Sequence, residues 1–202
     1  MRLRLSRAAA ALAAAALLAG CEVYTPADPE AIARARYVSP EPPSITLLSM
    51  VDVASGRSAH SALLINGSQQ VLYDPAGTFT HPDLPRAGDI HYGMTPRFLD
   101  YYERYHARFS HFVEAQKVEV DRATADAVMA RAEAEGKTLK MLCAGSVTGA
   151  LQGIPPFDKV RRTLLPESIR ADFARIPGVE DSYVYENDSG QNRVWERSDE
   201  AR

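Results

Sequence analysis

Cysteine is scarce in this chain, which limits the classes of protein to which it can belong. The 202 residues include two cysteines, Cys21 and Cys143. Two cysteines form neither the disulfide framework of a small secreted domain nor a four-cysteine zinc site. No pair of histidines has the spacing of metal ligands on a helix or strand beside a cysteine or a carboxylate. We therefore expect no metal and no cofactor.

Clusters of basic residues are also missing. The chain has 23 Lys and Arg against 26 Asp and Glu, a formal net charge of −3. Loss of residues 1–20, which hold three arginines and no acidic residue, would leave 20 against 26, or −6. This balance argues against nucleic acid as a partner.

Long apolar runs are confined to the N-terminus. Three arginines precede a run from Ala8 to Leu18, which is short for a membrane span and is followed by Ala19-Gly20-Cys21. A basic start, a short apolar run and small residues before the cleavage site are typical of an export signal. The small residues ending in Cys21 resemble the bacterial lipobox, in which that cysteine becomes the acylated first residue. An ordinary signal peptide with a chance cysteine is the alternative.

The predicted anchor defines the organisation of the rest of the chain. We expect a lipoprotein signal peptide at 1–20, a tether rich in proline and charge at 21–43, a domain at 44–187 and a polar tail at 188–202. Acylation with two or more chains would hold Cys21 stably in a membrane. The residue after it, Glu22, favours the outer membrane, with the domain facing the periplasm. We expect a monomer.

Strand patterns come first in the predicted domain, and strands and helices then mix. This order predicts an α+β fold in which an antiparallel sheet packs against helices. Asn66-Gly67 is a strong hairpin signal between the second and third strands. The predicted strands are 44–53, 59–65, 69–74, 112–120 and 181–186, with 138–142 as a short strand or extended lead. The predicted helices start at Pro96, after Asp121 (as far as Glu135), at Cys143 and at Pro166.

Cys143 would be an unpaired thiol if Cys21 is lipidated, and it stands where a helix is predicted to begin. An exported protein keeps an odd thiol where it is buried or useful. The thiolate is the nucleophile, and the positive end of a helix or a neighbouring imidazole lowers the thiol pKa. Gly145 and Gly149 would let this helix approach the sheet closely. The alternative is an inert, buried Cys143, since free cysteine is among the most buried residue types.

His60 lies in the middle of a predicted strand, between Ala59 and Ser61. A histidine there is a poor choice for core packing and a good one for a general base. A surface position or a satisfied core position is the alternative. The other four histidines fit loops, a turn or the aromatic face of the helix that starts at Pro96.

Asp74 is the candidate for the group that orients His60. If the hairpin loop has an odd number of residues, His60 and Asp74 lie on the same face of the sheet. The loops 66–68 and 65–67 both satisfy this condition, whereas a two-residue Asn-Gly turn would send Asp74 to the opposite face. A cap on the turn at Pro75 is the alternative role for Asp74.

The order of these residues resembles a known superfamily. The segments are a strand histidine in "SAHSALLI", a polar residue ending the next strand in "VLYDPAG", the strand and helix of "FVEAQKVEVDRATADAVMARA", and a cysteine opening a helix in "MLCAGSVTGAL". They resemble the circularly permuted papain-like proteins, which include NlpC-type and lecithin-retinol-acyltransferase-like enzymes. The resemblance implies Cys143 as nucleophile at a helix N-terminus, His60 as base and Asp74 as orienting residue. The polar residue that many members place beside the cysteine is absent, since Leu142 and Ala144 flank it.

The resemblance implies an enzyme that hydrolyses or transfers acyl groups at amides or esters, with cell-wall peptides and lipids among the substrates. The sequence therefore predicts a lipid-anchored envelope thiol hydrolase or acyltransferase. The alternative is an inactive envelope lipoprotein that binds a partner or ligand in the same cleft or on the aromatic face.

Overall fold

The computed structural model describes residues 25–187. The predicted signal peptide, the predicted lipidation site at Cys21 and the predicted polar tail lie outside the described residues. Seven strands, five α-helices and a short 3-10 helix are found within this range. The strands are β1 (Ser44–Asp52), β2 (Ser58–Asn66), β3 (Gln70–Tyr73), β4 (Arg86–Ala87), β5 (Ile90–Tyr92), β6 (His111–Glu119) and β7 (Glu180–Val184). The helices are α1 (Pro29–Ala35), α2 (Pro96–His106), α3 (Arg122–Glu135), α4 (Cys143–Leu151) and α5 (Pro166–Phe173), with the 3-10 helix at Phe157–Lys159.

All seven strands form a single sheet in the order β4-β5-β3-β2-β1-β6-β7. Every neighbouring pair is antiparallel. The predicted α+β class with an antiparallel sheet is therefore confirmed. β2 is the central strand, and β1 beside it pairs with β2 on one side and β6 on the other.

The sheet is covered on both faces, which explains why β1 and β2 are apolar along most of their length. α3, α4 and α5 pack on one face around Leu47, Leu63 and Tyr73. α2 packs on the opposite face around Leu48 and Leu64. Alternate residues of each strand therefore belong to different cores.

Capping residues set the ends of two helices as the sequence predicts. The hydroxyl of Thr95 accepts from the Phe98 N–H at the start of α2, and Asp121 accepts from the Thr124 N–H at the start of α3. Gly136 ends α3 with a φ of 66°. α2 ends at His106, so Phe109 lies outside the predicted aromatic face and is 65% exposed.

The aromatic face of α2 is turned towards the sheet. Tyr101 and Tyr102 are buried, and Phe98 and Tyr105 pack against the core that contains Tyr102. These four rings are therefore part of the domain interior rather than an open surface for a partner.

The hairpin between β2 and β3 pairs Asn66 with Gln70 and leaves a three-residue loop, 67–69. The number is odd, as the shared face of His60 and Asp74 requires, but the loop starts one residue later than the predicted 66–68 loop and two residues later than the predicted 65–67 loop. A tertiary contact accounts for this shift. The carboxylate of Asp126 in α3 accepts from the N–H and the hydroxyl of Ser68, at 2.7 and 2.6 Å. A Cβ at Gly67 would lie 2.3 Å from the same carboxylate, so a larger residue there would have to displace Asp126.

Two regions differ from the sequence prediction. The proline-rich loop after Asp74 contains β4 and β5, whose short lengths give little periodicity to detect. The segment 138–142 forms no strand, because Leu142 donates to the Leu139 carbonyl in a tight turn.

Residues 25–43, within the predicted tether, contact the sheet. They contain α1, and the Gln70 N–H donates to the carbonyl of Tyr37 at 2.8 Å. The side chain of Asn66 donates to the Pro42 carbonyl at 2.9 Å. This segment therefore runs from the β4 side of the sheet, where the Ala27 N–H donates to the Arg86 carbonyl, to the hairpin end.

Candidate active site

The candidate site forms where β2 and β3 separate. Their ladder runs from Asn66–Gln70 to Leu63–Tyr73 and goes no further. The chain after Tyr73 turns towards β5, since the Asp74 N–H donates to the Asp89 carbonyl. The first residues of β2, which include His60, are therefore left beside an opening in the sheet.

His60 and Asp74 meet across this opening. Nε2 of His60 lies 2.7 Å from Oδ1 of Asp74, whose side chain is fully buried. Burial by itself would raise the pKa of Asp74, but the hydrogen bond and charge of His60 outweigh it and lower that pKa to about 2. Asp74 is therefore a carboxylate at neutral pH.

The backbone around Asp74 leaves its side chain available for His60. The Gly77 N–H donates to the main-chain carbonyl of Asp74, so the side chain does not cap the turn. A Cβ at Gly77 would lie 1.8 Å from Oδ2 of Asp74, so the carboxylate occupies the space that any larger residue would need. The hydroxyl of Tyr102, from α2 on the same face, donates to Oδ1 at 3.1 Å.

Cys143 is the first residue of α4 and is 6% exposed. His60 and the backbone N–H groups of Ser61 and Ala144 lie close enough to its sulfur to lower the pKa of the thiol. Burial raises the pKa of the thiol, but His60 and these N–H groups outweigh the burial, so the net shift is downward. Since Nε2 of His60 bonds Asp74, Nδ1 is the ring nitrogen left for the sulfur.

The same contacts act on His60 in the opposite sense. Burial lowers its pKa, but Asp74 on one side and Cys143 on the other raise it to about 10. These contacts favour a thiolate beside an imidazolium, held by a buried carboxylate. Such a pair is a nucleophile with a proton donor next to it.

The glycines of α4 do not face the sheet, so that prediction is wrong. A Cβ at Gly145 would meet Leu164 at 3.0 Å, and a Cβ at Gly149 would meet Glu135 at 3.0 Å. The sheet is instead contacted by the opposite side of α4, which carries Ala144, Val147 and other buried residues. The glycines therefore leave room for a loop and for α3.

Tyr102 and His106, one turn apart on α2, also lie at the site, and the sequence predicts no role for them there. The His106 ring stacks on the His60 ring with centroids 6.2 Å apart. Burial lowers the His106 pKa to about 4, and its Nδ1 lies 2.9 Å from the Tyr102 carbonyl, so the ring is neutral. Their spacing of four on one helix face is visible in the sequence, but the face against which α2 packs is not.

A cavity of about 300 Å³ opens beside His60. Gly77 and Thr78 form one side, and His106 and Arg108 form another. A second cavity of about 720 Å³ shares Ala76, Gly77 and Thr78 with the first and extends to Lys137 and Lys140. The short segment 76–78 therefore borders both cavities, and the smaller one is also lined by His60.

The arrangement defines the kind of site. Cys143, His60 and Asp74 come together from α4, β2 and the turn after β3, and the geometry is that of a thiol, an imidazole and a carboxylate in series. Within residues 25–187, no group of three or more His, Cys, Asp or Glu side chains is placed to hold a metal ion. None of the helices in the same range has the length and apolar character needed to cross a membrane. Comparisons with known protein families, curated proteins and solved structures found no match.

Proposed function

We propose that this protein is a thiol hydrolase or acyltransferase that acts on an amide or ester through an acyl-enzyme on Cys143. The observation that carries the proposal is the His60 imidazole, which lies 2.7 Å from Asp74 and is close enough to Cys143 for each of the two groups to shift the pKa of the other. A nucleophile, a base and an orienting group in series are the parts that acyl transfer requires.

The chemistry follows from the charge state of the pair. The Cys143 thiolate attacks the substrate carbonyl carbon, and a carbon–sulfur bond forms as the carbonyl oxygen takes up negative charge. The His60 imidazolium then gives its proton to the leaving amine or alcohol, and the acyl group stays on sulfur. Neutral His60 takes a proton from water in a hydrolase, or from an acceptor alcohol or amine in a transferase, and this nucleophile releases the acyl group.

Two features of the fold support these roles. The first N–H groups of a helix have no partner within the helix, so the Cys143 N–H is available to a developing oxyanion. No side chain caps α4, whose N-cap is Leu142. Asp74 keeps the Nε2 side of the ring engaged, which directs Nδ1 to the sulfur.

We infer a permuted papain-like fold from the order of these groups. The histidine on β2, the carboxylate after β3 and the cysteine opening α4 follow each other in that sequence along an antiparallel sheet. Leu142 and Ala144 flank Cys143, whereas many members of the superfamily have a polar residue beside the cysteine. A second donor to the oxyanion would therefore have to come from another part of the chain.

We also propose that the chain is an envelope lipoprotein anchored through Cys21, with its substrate a cell-wall peptide or a lipid. The support is the basic, apolar and small-residue pattern that ends at Cys21. The site needs no nucleic acid and no metal for the proposed chemistry. The intact mass of protein purified from membranes tests the anchor, since acylation adds the mass of two or three chains.

The experiment for the thiol chemistry is labelling of the folded protein with an electrophilic acyl probe, followed by mass mapping. We expect the label on Cys143 at neutral pH, and we expect it to be lost in His60→Ala. Asp126→Asn is the matched control, because it changes a hydrogen-bonded Asp at the hairpin end of the sheet. Failure to label Cys143 in folded protein would refute the proposal that this chain is a thiol enzyme.

The second candidate is an inactive envelope lipoprotein that binds a ligand in the cleft. The low exposure of Cys143, 6%, and its apolar neighbours favour this reading. In that case the thiol would react with alkylating agents only above about pH 8.5, as an unperturbed thiol does. Cys143→Ser would then leave ligand binding unchanged.

A further inference from the structure

Five large apolar side chains are exposed around the start of α4. We call them the apolar rim. They belong to two loops, one before α4 and one before α5. The members are Leu139, Met141, Leu142, Leu164 and Leu165, with Met141 the most exposed at 88%. Single exposed leucines are ordinary on a protein surface, but a group of five around one site is a marker of an interaction surface.

The two loops of the rim meet at the first turn of α4. Leu142 is the residue immediately before it and is the N-cap of α4. Leu164, from the other loop, lies 3.0 Å from the position that a Gly145 Cβ would occupy. The rim therefore surrounds the helix end that carries the thiol.

Met141 is held in an uncommon backbone conformation. Its φ is 71°, in the left-handed region that favours glycine. A large apolar side chain in that conformation, almost fully exposed, is costly in the isolated domain. Strain of this kind concentrates at functional sites.

The charge of the two loops is opposite to that of the rest of the chain. Residues 137–142 and 159–165 contain five Lys or Arg and no Asp or Glu. Lys140, Lys159 and Arg162 are exposed beside the apolar rim. Apolar side chains flanked by basic ones match the interface of an anionic bilayer, in which the apolar groups enter the headgroup region and the cations meet lipid phosphates.

The position of the N-terminal segment points to the same surface. Thr25 lines the same cavity as Lys137 and Lys140. Cys21 is four residues earlier, and a chain of four residues reaches at most about 14 Å. An anchor at Cys21 would therefore hold the 137–142 loop close to the membrane surface.

We propose that the apolar rim and its basic residues form a docking surface for an anionic lipid bilayer. Docking turns the start of α4, which carries Cys143, towards the groups presented at the membrane surface. The position of the anchor rests on the proposed lipidation of Cys21, whereas the chemistry of the rim does not. The surface uses neither the thiol nor the imidazole.

Depth-dependent quenching of tryptophan fluorescence tests this surface. The native Trp195 is replaced by Phe in the full chain, and Met141→Trp or Leu165→Trp is introduced. The purified protein is reconstituted into vesicles that contain phosphatidylglycerol with brominated acyl chains. If the intact mass shows no lipid on the chain, the same vesicles are added to the soluble protein. We expect both tryptophans to be quenched. Val38→Trp is the control, because Val38 follows Tyr37 at the hairpin end of the sheet and should stay unquenched.

A charge series separates a bilayer from other occupants. Lys140→Gln and Arg162→Gln should each lower the ratio of docked to undocked protein about fivefold, the effect of one cation at an anionic membrane surface. Lys117→Gln, on β6 towards the hairpin end, should leave it unchanged. Cys143→Ser should also leave it unchanged, so failure of the thiol chemistry and failure of docking give different results.

Three results would overturn the proposal. The first is equal quenching at Met141→Trp and Val38→Trp, or none at either. The second is equal docking to vesicles of phosphatidylcholine alone. The third is a rim tryptophan that is already buried before vesicles are added, with a concentration-dependent dimer, which would assign the rim to a second copy of the chain.

Discussion

Asp74→Asn is the substitution that tests the logic of the site most directly. It keeps the shape of the side chain and removes the charge that faces His60. Asp74 accepts from His60 at 2.7 Å and from Tyr102 at 3.1 Å, and its Oδ2 is buried with no partner among the described residues. Asparagine can still accept through one oxygen, but it cannot stabilise an imidazolium as a carboxylate does.

The size of the effect follows from the kind of hydrogen bond that is lost. A bond to a charged group contributes about 1.5–3 kcal/mol and a neutral one about 0.5–1.5 kcal/mol, so the change removes about 1.4 kcal/mol from the imidazolium. That energy corresponds to about one pKa unit. The proton that leaves the Cys143 thiol is held by His60. Because the substitution makes the imidazolium less stable, we expect the midpoint of thiolate formation to rise by about one pH unit.

The assay is the rate of alkylation of Cys143 against pH, with the labelled residue mapped by mass. In the wild type we expect a midpoint below that of an ordinary thiol, because His60 lowers the Cys143 pKa. In Asp74→Asn the rate below the wild-type midpoint should fall about tenfold. The buried amide nitrogen would also cost about 1–3 kcal/mol of stability, so folding is verified in urea first. Asp126→Asn should lose stability without moving the midpoint.

An unchanged midpoint in Asp74→Asn would refute the reasoning, because the carboxylate would then have no influence on the proton shared by His60 and Cys143. A wild-type midpoint near pH 8.5 would do the same, since it would describe a thiol without an imidazolium.

Three further predictions concern the supports of the site. Gly77→Ala should displace the Asp74 carboxylate, because the added Cβ would lie 1.8 Å from it. We expect acyl labelling of Cys143 to fall about tenfold. Full labelling would show that the turn can change its conformation without displacing Asp74. Arg170→Ala should lower the free energy of unfolding in urea by about 2–3 kcal/mol, because the Glu114 carboxylate, 6% exposed, loses its partner at 2.7 Å. A loss below about 1 kcal/mol would show that the ion pair behaves as a surface pair. The stability that His60 contributes should be complete below pH 6.5 and lost as pH rises through about 10, and that of Asp74 complete above pH 3.8 and lost as pH falls through about 2. The difference in unfolding free energy between wild type and Asp74→Asn should therefore be largest between these limits, and an equal difference at about pH 6 and about pH 10 would contradict the shift of His60.

Local patterns in the sequence are enough to predict most of the domain's elements. β1, β2, β3 and β6 are found within one or two residues of the predicted strands, because their apolar runs and turn residues are local signals. The caps at Thr95 and Asp121 set helix starts for the same reason. Elements of two or three residues, such as β4 and β5, carry no such period and are missed.

The pairing of His60 with Asp74 lies between local and tertiary information. Their spacing of fourteen places them on one face whenever the loop is odd, and that much follows from strand geometry. Which odd loop forms depends on Asp126, a residue of α3 distant in sequence, which holds Ser68. The sequence therefore states the condition under which the two residues share a face, and the structure decides both the parity and the register.

The sequence by itself determined the fold class, the caps, and the order of His60, Asp74 and Cys143, because all of these depend on residue types and short spacings. Tertiary packing decided the rest. It set α2 on the face that brings Tyr102 and His106 to Asp74 and His60, and it turned the glycines of α4 away from the sheet. The physical reason is that the hydrophobic pattern of a helix states which side is buried but not which face of a two-sided sheet buries it.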